Sequence, residues 1–253
     1  MINPDKLTPV EHLAAIGVYL KRDDLFKVAG VCGGKARSCF KLIDKYAGDS
    51  KVLVTKCSRF SPQGIIVSAL AARLGKKSMI FVPWSKEDTE ENTRIINNGG
   101  QLIKCYPGYP SVIDKKMKEL TPDDAYIIPF GMECSEAVES TRAQTRNIPF
   151  DKIDRIVITL GSGMSLSGLL WGMKDKGVHK KVLAVMIGKD TRPSVIKWSP
   201  ADMLEDVEFV QSGYKYNRVV KSEIGSVALD PHYEAKAAEL VQPGDLFWIV
   251  GKR

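Results

Sequence analysis

Long apolar runs are missing from this chain of 253 residues. No stretch approaches the roughly 20 apolar residues that span a bilayer, and Met1-Ile-Asn-Pro-Asp-Lys6 lacks the basic-then-apolar plan of a secretory signal. A membrane partner is therefore not expected, and the cytoplasm is the expected location. Histidine is scarce: His12, His179 and His232 stand far apart, none at metal-ligand spacing, which argues against a metal centre. The five cysteines, Cys32, Cys39, Cys57, Cys105 and Cys134, are odd in number, form no Cys-x-x-Cys pair and sit mostly inside apolar runs. They are expected to be reduced core residues, not disulfides or zinc ligands. There is no Gly-x-Ser-x-Gly elbow, so a serine hydrolase lacks its parts. Repeats, low-complexity tracts and evident linkers are absent as well.

What the chain does have is basic charge, with 37 Lys and Arg against 30 Asp and Glu for a formal +7. Such an excess favours anionic partners, among them phosphates, carboxylates and nucleic acid. The length allows one domain or two. Buried strands are expected at Val52–Lys56, Ser78–Val82, Gln101–Cys105, Tyr126–Ile128, Arg155–Leu160, Val182–Ile187 and Leu246–Val250. Between them the spacing predicts helices at Ile65–Leu74, Glu87–Asn98, Val112–Leu120 and Glu133–Arg146. This alternation predicts an α/β protein with parallel sheets covered by helices on both faces.

Three segments carry chemistry. Val18-Tyr-Leu-Lys-Arg-Asp-Asp-Leu25 is an apolar strand that leads through Gly33-Gly34 into Lys35 at a helix start. An amine held there is expected to be buried, rigid and close to backbone donors, which suits a lysine that forms a Schiff base. Strand Ile158–Leu160 runs into Gly161-Ser162-Gly163-Met164-Ser165 and then a helix. Glycines admit an anion close to the backbone, and successive N–H groups with the helix dipole make a phosphate cradle. It is neither a Walker loop nor a full dinucleotide fingerprint. In Ser58-Arg-Phe-Ser61-Pro62-Gln63-Gly64, Ser61 is an N-cap with Pro62 at the first helical position, and the amides around Gln63 and Gly64 offer a place for a carboxylate.

Together Tyr19–Leu25 and Gly33-Gly34-Lys35-Ala36-Arg37 resemble the start of pyridoxal-phosphate (PLP) enzymes of the tryptophan-synthase-like fold (fold type II), in particular aminocyclopropane-carboxylate deaminase and D-cysteine desulfhydrase. The resemblance implies PLP on Lys35, its phosphate at Gly161–Ser165, and substrate held by Ser61, Gln63 and Gly64. It implies two α/β domains, a large cofactor-binding one of residues 1–45 and 131–253 and a small inserted one of 46–130, with the cofactor between them. Leu229-Asp-Pro-His-Tyr-Glu-Ala-Lys236 and Phe130-Gly-Met-Glu-Cys134 extend the match. Glu223 is the candidate acceptor for the pyridine nitrogen, where a carboxylate makes the ring a strong electron sink. Tyr214 and Tyr216 either stack on the ring or exchange protons. Two departures, Gly34 and Pro62 where the family has asparagines, bear against the deaminase and desulfhydrase reactions themselves.

The combination Gly-Gly-Lys-Ala-Arg, Ser-Pro-Gln, Phe-Gly-Met-Glu-Cys, Gly-Ser-Gly-Met-Ser and Pro-Gly-Asp-Leu-Phe-Trp also resembles compact PLP enzymes of tailed bacteriophages, some of which build amino-acid groups onto thymine in DNA. That implies decarboxylation, or another Cα cleavage, of an amino acid carried on a base, in the host cytoplasm. Non-specific DNA binding fits the basic surplus, because phosphate contacts dominate such affinity. Lys21, Arg37, Arg59, Lys189, Arg192, Lys197, Lys215 and Arg218 are the candidate contacts. A lyase or deaminase of a free amino acid and a non-catalytic PLP-binding protein stay open as alternatives. A homodimer is the expected assembly.

Overall fold

The computed structural model describes residues 2–252, with Met1 and Arg253 outside the described residues. Along the first half of the chain run β1 (Val10–Leu13), β2 (Val18–Arg22), β3 (Lys27–Val28), β4 (Val31–Cys32), α1 (Gly34–Tyr46), β5 (Val52–Lys56), α2 (Gln63–Arg73), β6 (Lys77–Pro83), α3 (Glu90–Asn97), β7 (Gln101–Cys105), α4 (Pro110–Leu120) and β8 (Ala125–Ile127). The second half holds α5 (Ser135–Gln144), β9 (Arg155–Leu160), α6 (Met164–Asp175), β10 (Lys181–Met186), α7 (Arg192–Trp198), β11 (Val207–Gln211), β12 (Glu223–Ile224), β13 (Val227–Ala228) and β14 (Asp245–Ile249). Among the described residues no helix is long and apolar enough to cross a membrane.

The chain divides into two compact units. One comprises residues 1–26, 32–34 and 133–253, the other residues 27–31 and 35–132. In the first, six strands are ordered β1-β2-β14-β9-β10-β11. All pairings are parallel except β1 with β2. Strand β14 lies in the middle and is buried along its whole length, which its sequence Asp-Leu-Phe-Trp-Ile permits because nearly every residue is apolar. Alternate residues serve opposite faces. Ile156, Ile158, Leu160, Leu246 and Trp248 join Leu166, Leu169 and Leu170 of α6 in one core, while Val157, Val185, Phe247 and Ile249 join Leu229 and Ala235 in another.

The second unit is a four-stranded, all-parallel sheet in the order β7-β6-β5-β8. Val52, Val54, Met79, Phe81 and Cys105 form its core with Ile113 of α4. Helix α2 is buried from Gln63 through Ala71, so its apolar sequence reflects burial on nearly every side rather than a single inward stripe. Besides the two-residue strands β3, β4, β12 and β13, the strands outside the expected set are β1 and β11, edge strands whose partly exposed residues mix charged and apolar side chains. Their pairing partners are remote in sequence or carry the regular signal in their place.

Candidate active site

In the second unit the expected lysine and the expected carboxylate site are neighbours. Lys35 lies in the first turn of α1 and is half-buried, not fully buried as its sequence context suggests. Its charge reaches the thiol of Cys57, the first residue after β5. Burial pushes that thiol up to about 12, against the opposing pull of the Gly64 peptide N–H and of Lys35. Gly64 cannot be larger here: an added Cβ would stand 2.7 Å from Ile95 Cδ1 and 3.1 Å from Cys57 Sγ. Ser61 is buried and its Oγ accepts the N–H of Gln63 at 3.2 Å, but α2 begins at Gln63 with Pro62 at the N-cap, one residue later than the sequence suggests. Gln63 is fixed by two bonds from its Nε2, to Thr55 Oγ1 and Pro129 O, both 2.8 Å. Its Oε1 is buried and has no hydrogen-bond partner among the described residues. An acceptor held this rigidly is available to a donor on a bound molecule.

The first unit carries the glycine loop. Gly163 has φ +91° at the N-terminus of α6, a conformation costly for any residue with a Cβ, and such a Cβ would stand 2.6 Å from Val195 Cγ2. Thr191 Oγ1 and Ser194 Oγ, in the segment packed against this glycine, are buried without hydrogen-bond partners among the described residues. Free backbone amides at a 12-residue helix start, with two unsatisfied hydroxyls alongside, suit the phosphate of PLP. Gly161 opens the loop, with Tyr233 close enough that a Cβ would meet Cε1 at 3.0 Å and the phenol oxygen at 3.2 Å. Tyr233 in turn pairs with Tyr216 through their hydroxyls, 3.1 Å apart.

The Tyr216 loop is held from below. Lys236 is almost completely buried and donates to Lys215 O (3.0 Å) and Tyr216 O (2.8 Å), while His232 Nδ1 lies 3.2 Å from Tyr216 O. Asp230 Oδ1 accepts the N–H groups of His232 and Tyr233. Glu234 follows, 2% exposed, with Oε1 accepting from Val250 N at 3.0 Å. Burial, and then the charge of Asp230, push its carboxyl up to about 8. The same end of β14 receives the N–H of Gly34 on Val250 O at 2.8 Å. A Cβ on Gly34 would stand 3.1 Å from Asp23 Oδ2, tighter than an ordinary contact.

Of the expected residues, the structure brings Lys35, Ser61, Gln63 and Gly64 together in one unit. In the other, Tyr233 lies against Gly161 and Tyr216 is hydrogen-bonded to Tyr233. Tyr214 is not part of that pair; its ring stacks with Arg218, whose guanidinium carbon lies 5.2 Å from the ring centroid. Glu223 is exposed on the short β12–β13 ladder. Tyr233 and Glu234 escaped the sequence reading although both lie in Leu229–Lys236, because a local motif does not reveal burial. Among the candidate DNA contacts, Lys21 and Arg37 are buried. Lys21 donates to Thr8 O and Asn147 Oδ1 and serves the fold, and Arg192 is engaged by Asp190 at 2.7 Å.

The chain is similar to several known proteins. The 1-aminocyclopropane-1-carboxylate deaminase of Cyberlindnera saturnus is 30% identical over 207 residues, 69% of this chain and 59% of that protein. The glycyl-dTMP PLP-dependent decarboxylase of Pseudomonas phage M6 is 21% identical over 276 residues, 97% of this chain and 98% of that one. The chain spans 64% of the length of a further relative, from Thermotoga maritima, that is named for the deaminase activity. Among solved structures, an ACC deaminase homologue superposes with a TM-score of 0.79 at 19% identity, over 97% of this chain and 89% of that chain. The family model of the pyridoxal-phosphate dependent enzymes matches residues 3–202, and on that match the chain belongs to this family.

Proposed function

We propose that the chain is a PLP-dependent decarboxylase acting on an amino-acid group carried on a thymine base in DNA. The observation that carries the reading is the match to the phage glycyl-dTMP decarboxylase, which runs the length of both proteins (97% and 98%), whereas the named deaminases extend well past the matched part. Gly34 and Pro62, in place of the asparagines, point the same way.

Lys35 is the residue to which the cofactor aldehyde attaches, and Gly161–Ser165 takes the phosphate. When bound, PLP supplies an electron sink for the pair released at Cα as the carboxylate leaves as carbon dioxide. The chain's own groups do the rest. The amides of Gln63 and Gly64 are taken by Ser61 Oγ and the Cys57 thiol, so the Ser61 O–H is the group of this segment that orients the carboxylate. Glu223, exposed on a two-residue strand, is poorly placed to serve the ring nitrogen. The hydrogen-bonded Tyr216–Tyr233 phenol pair is the candidate to return a proton to Cα.

The test is to incubate the PLP-loaded protein with DNA bearing a glycyl-modified thymine and with free amino acids, and to follow both by mass spectrometry. Loss of carbon dioxide from the DNA is expected. Efficient turnover of a free amino acid with untouched DNA would establish instead a small-molecule lyase or deaminase, the reading favoured by the 30% identity to the Cyberlindnera saturnus deaminase.

A further inference from the structure

We infer that Trp84 and Tyr106 form a stacking platform for nucleobases of single-stranded DNA, an inference that rests on the reading above in which the substrate is carried on DNA. Both rings stand where parallel strands end, Trp84 directly after β6 and Tyr106 directly after β7. Strand β5 ends on the same edge and delivers Cys57 and the start of α2. The C-terminal edge of such a sheet is where α/β proteins bind ligands. Exposure at this edge is unusual for rings of this size: Trp84 is 49% exposed and Tyr106 77%, with Tyr109 beside them at 68%.

The rings are held in place. Trp84 donates its peptide N–H to Cys105 O at 2.8 Å, and the turn after Tyr106 is so close that a Cβ on Gly108 would stand 2.8 Å from Pro83 Cβ. The ring centroids are 5.6 Å apart with planes at 81°. An edge-to-face pair covers one face of one ring and leaves the other faces open to flat, π-rich partners. Every base has such a face, so stacking of this kind is tolerant of sequence.

Charge selects an anionic occupant. Of the chain's 37 basic and 30 acidic residues, the unit that bears these rings holds 17 and 10, and the other unit 20 and 20. The whole surplus of +7 therefore lies on the aromatic unit. Near the rings, Asp88 with Lys104 and Asp114 with Lys56 form ion pairs that are each neutral overall. Aromatic faces on a unit of net basic charge are the combination that binds single strands.

The test is fluorescence anisotropy of a short labelled oligothymidylate at low salt, with the PLP-loaded protein. Trp84→Ala and Tyr106→Ala should each weaken binding about ten-fold, while Tyr106→Phe, which keeps the ring, should bind like wild type. Thermal melts of the exposed-ring variants should match wild type. Wild-type affinity in both alanine variants would overturn the platform while leaving a DNA substrate in place. A dimer that dissociates in the alanine variants with unchanged oligonucleotide affinity would show that the rings join two copies of the chain instead. No oligonucleotide binding at all, together with turnover of a free amino acid, would remove the DNA reading and the platform with it.

Discussion

Glu234 Oε1 accepts the peptide N–H of Val250 at 3.0 Å, so a carboxyl that burial drives toward the neutral form pins the end of the central strand β14. Its ordinary value of 4.5 is raised to about 8 in the folded chain, and the sign of the consequence follows. Between those values the folded protein keeps a proton that the unfolded chain has released, so stability declines as pH rises. Glu234→Gln abolishes this titration and keeps an oxygen for Val250. Melting temperatures across the range should show the wild type losing ground to the variant as pH climbs from 4.5 to about 8, with no further change above. A constant difference between the two would mean that Glu234 ionises normally.

Much of the fold was legible because parallel strands buried on both faces write themselves as unbroken β-branched runs. Arg155–Leu160 and Val52–Lys56 have the bounds that their sequences predict. Helix ends were less clear. Glu87–Asn98 shrinks to Glu90–Asn97, since Thr89 Oγ1 accepts from Asn92 N and sets the cap. The lysine and the glycine loop were legible because each couples a strand end to a helix start, a local event. Glu223 and Glu234 could not be ranked locally: one lies on an exposed two-residue strand and the other beneath a sheet, and only tertiary packing separates them. Lys21 misled for the same reason, its amine being satisfied by Thr8 and Asn147, far away in sequence or across the sheet edge.

Lys35 should carry the cofactor. The purified, PLP-loaded protein is expected to be yellow, and reduction with borohydride should fix the cofactor to the tryptic peptide that contains Lys35. Lys35→Ala should fold, because the side chain is only half-buried, and should lose the colour. Cofactor on another lysine would displace this assignment.

Cys57 should be inert despite its place beside Lys35. The thiol is 3% exposed and pushed up to about 12, so almost no thiolate exists near neutral pH. Alkylation of the native protein with iodoacetamide, read by peptide mass mapping, should spare Cys57 until denaturant is added. Rapid native labelling would show that the segment between β5 and α2 opens readily.

Substitutions in the glycine loop should separate folding from cofactor binding. Gly163→Ala meets both a positive φ and Val195, so it should lower the melting temperature as well as PLP affinity. Ser165→Ala makes no such demand, and loss of one hydrogen bond to a charged group costs about 1.5–3 kcal/mol. It should weaken PLP binding alone. Equal PLP affinity in wild type and both variants would place the phosphate elsewhere.

DNA affinity should depend steeply on salt, because the surplus of +7 resides on one unit and counterions must leave the phosphates it contacts. For a single strand, each neutralised phosphate steepens the plot of log affinity against log salt by about 0.7. Lys21 and Arg37 are buried and should not enter this slope; Lys86, exposed two residues after Trp84, should. Lys86→Ala is therefore expected to flatten the plot by a fraction of one contact to one full contact, without altering the melting temperature. A slope indistinguishable from zero for the wild-type protein would mean that no phosphate is neutralised, and the substrate would then have to be a small molecule whose recognition ends at Ser61, Gln63 and Gly64.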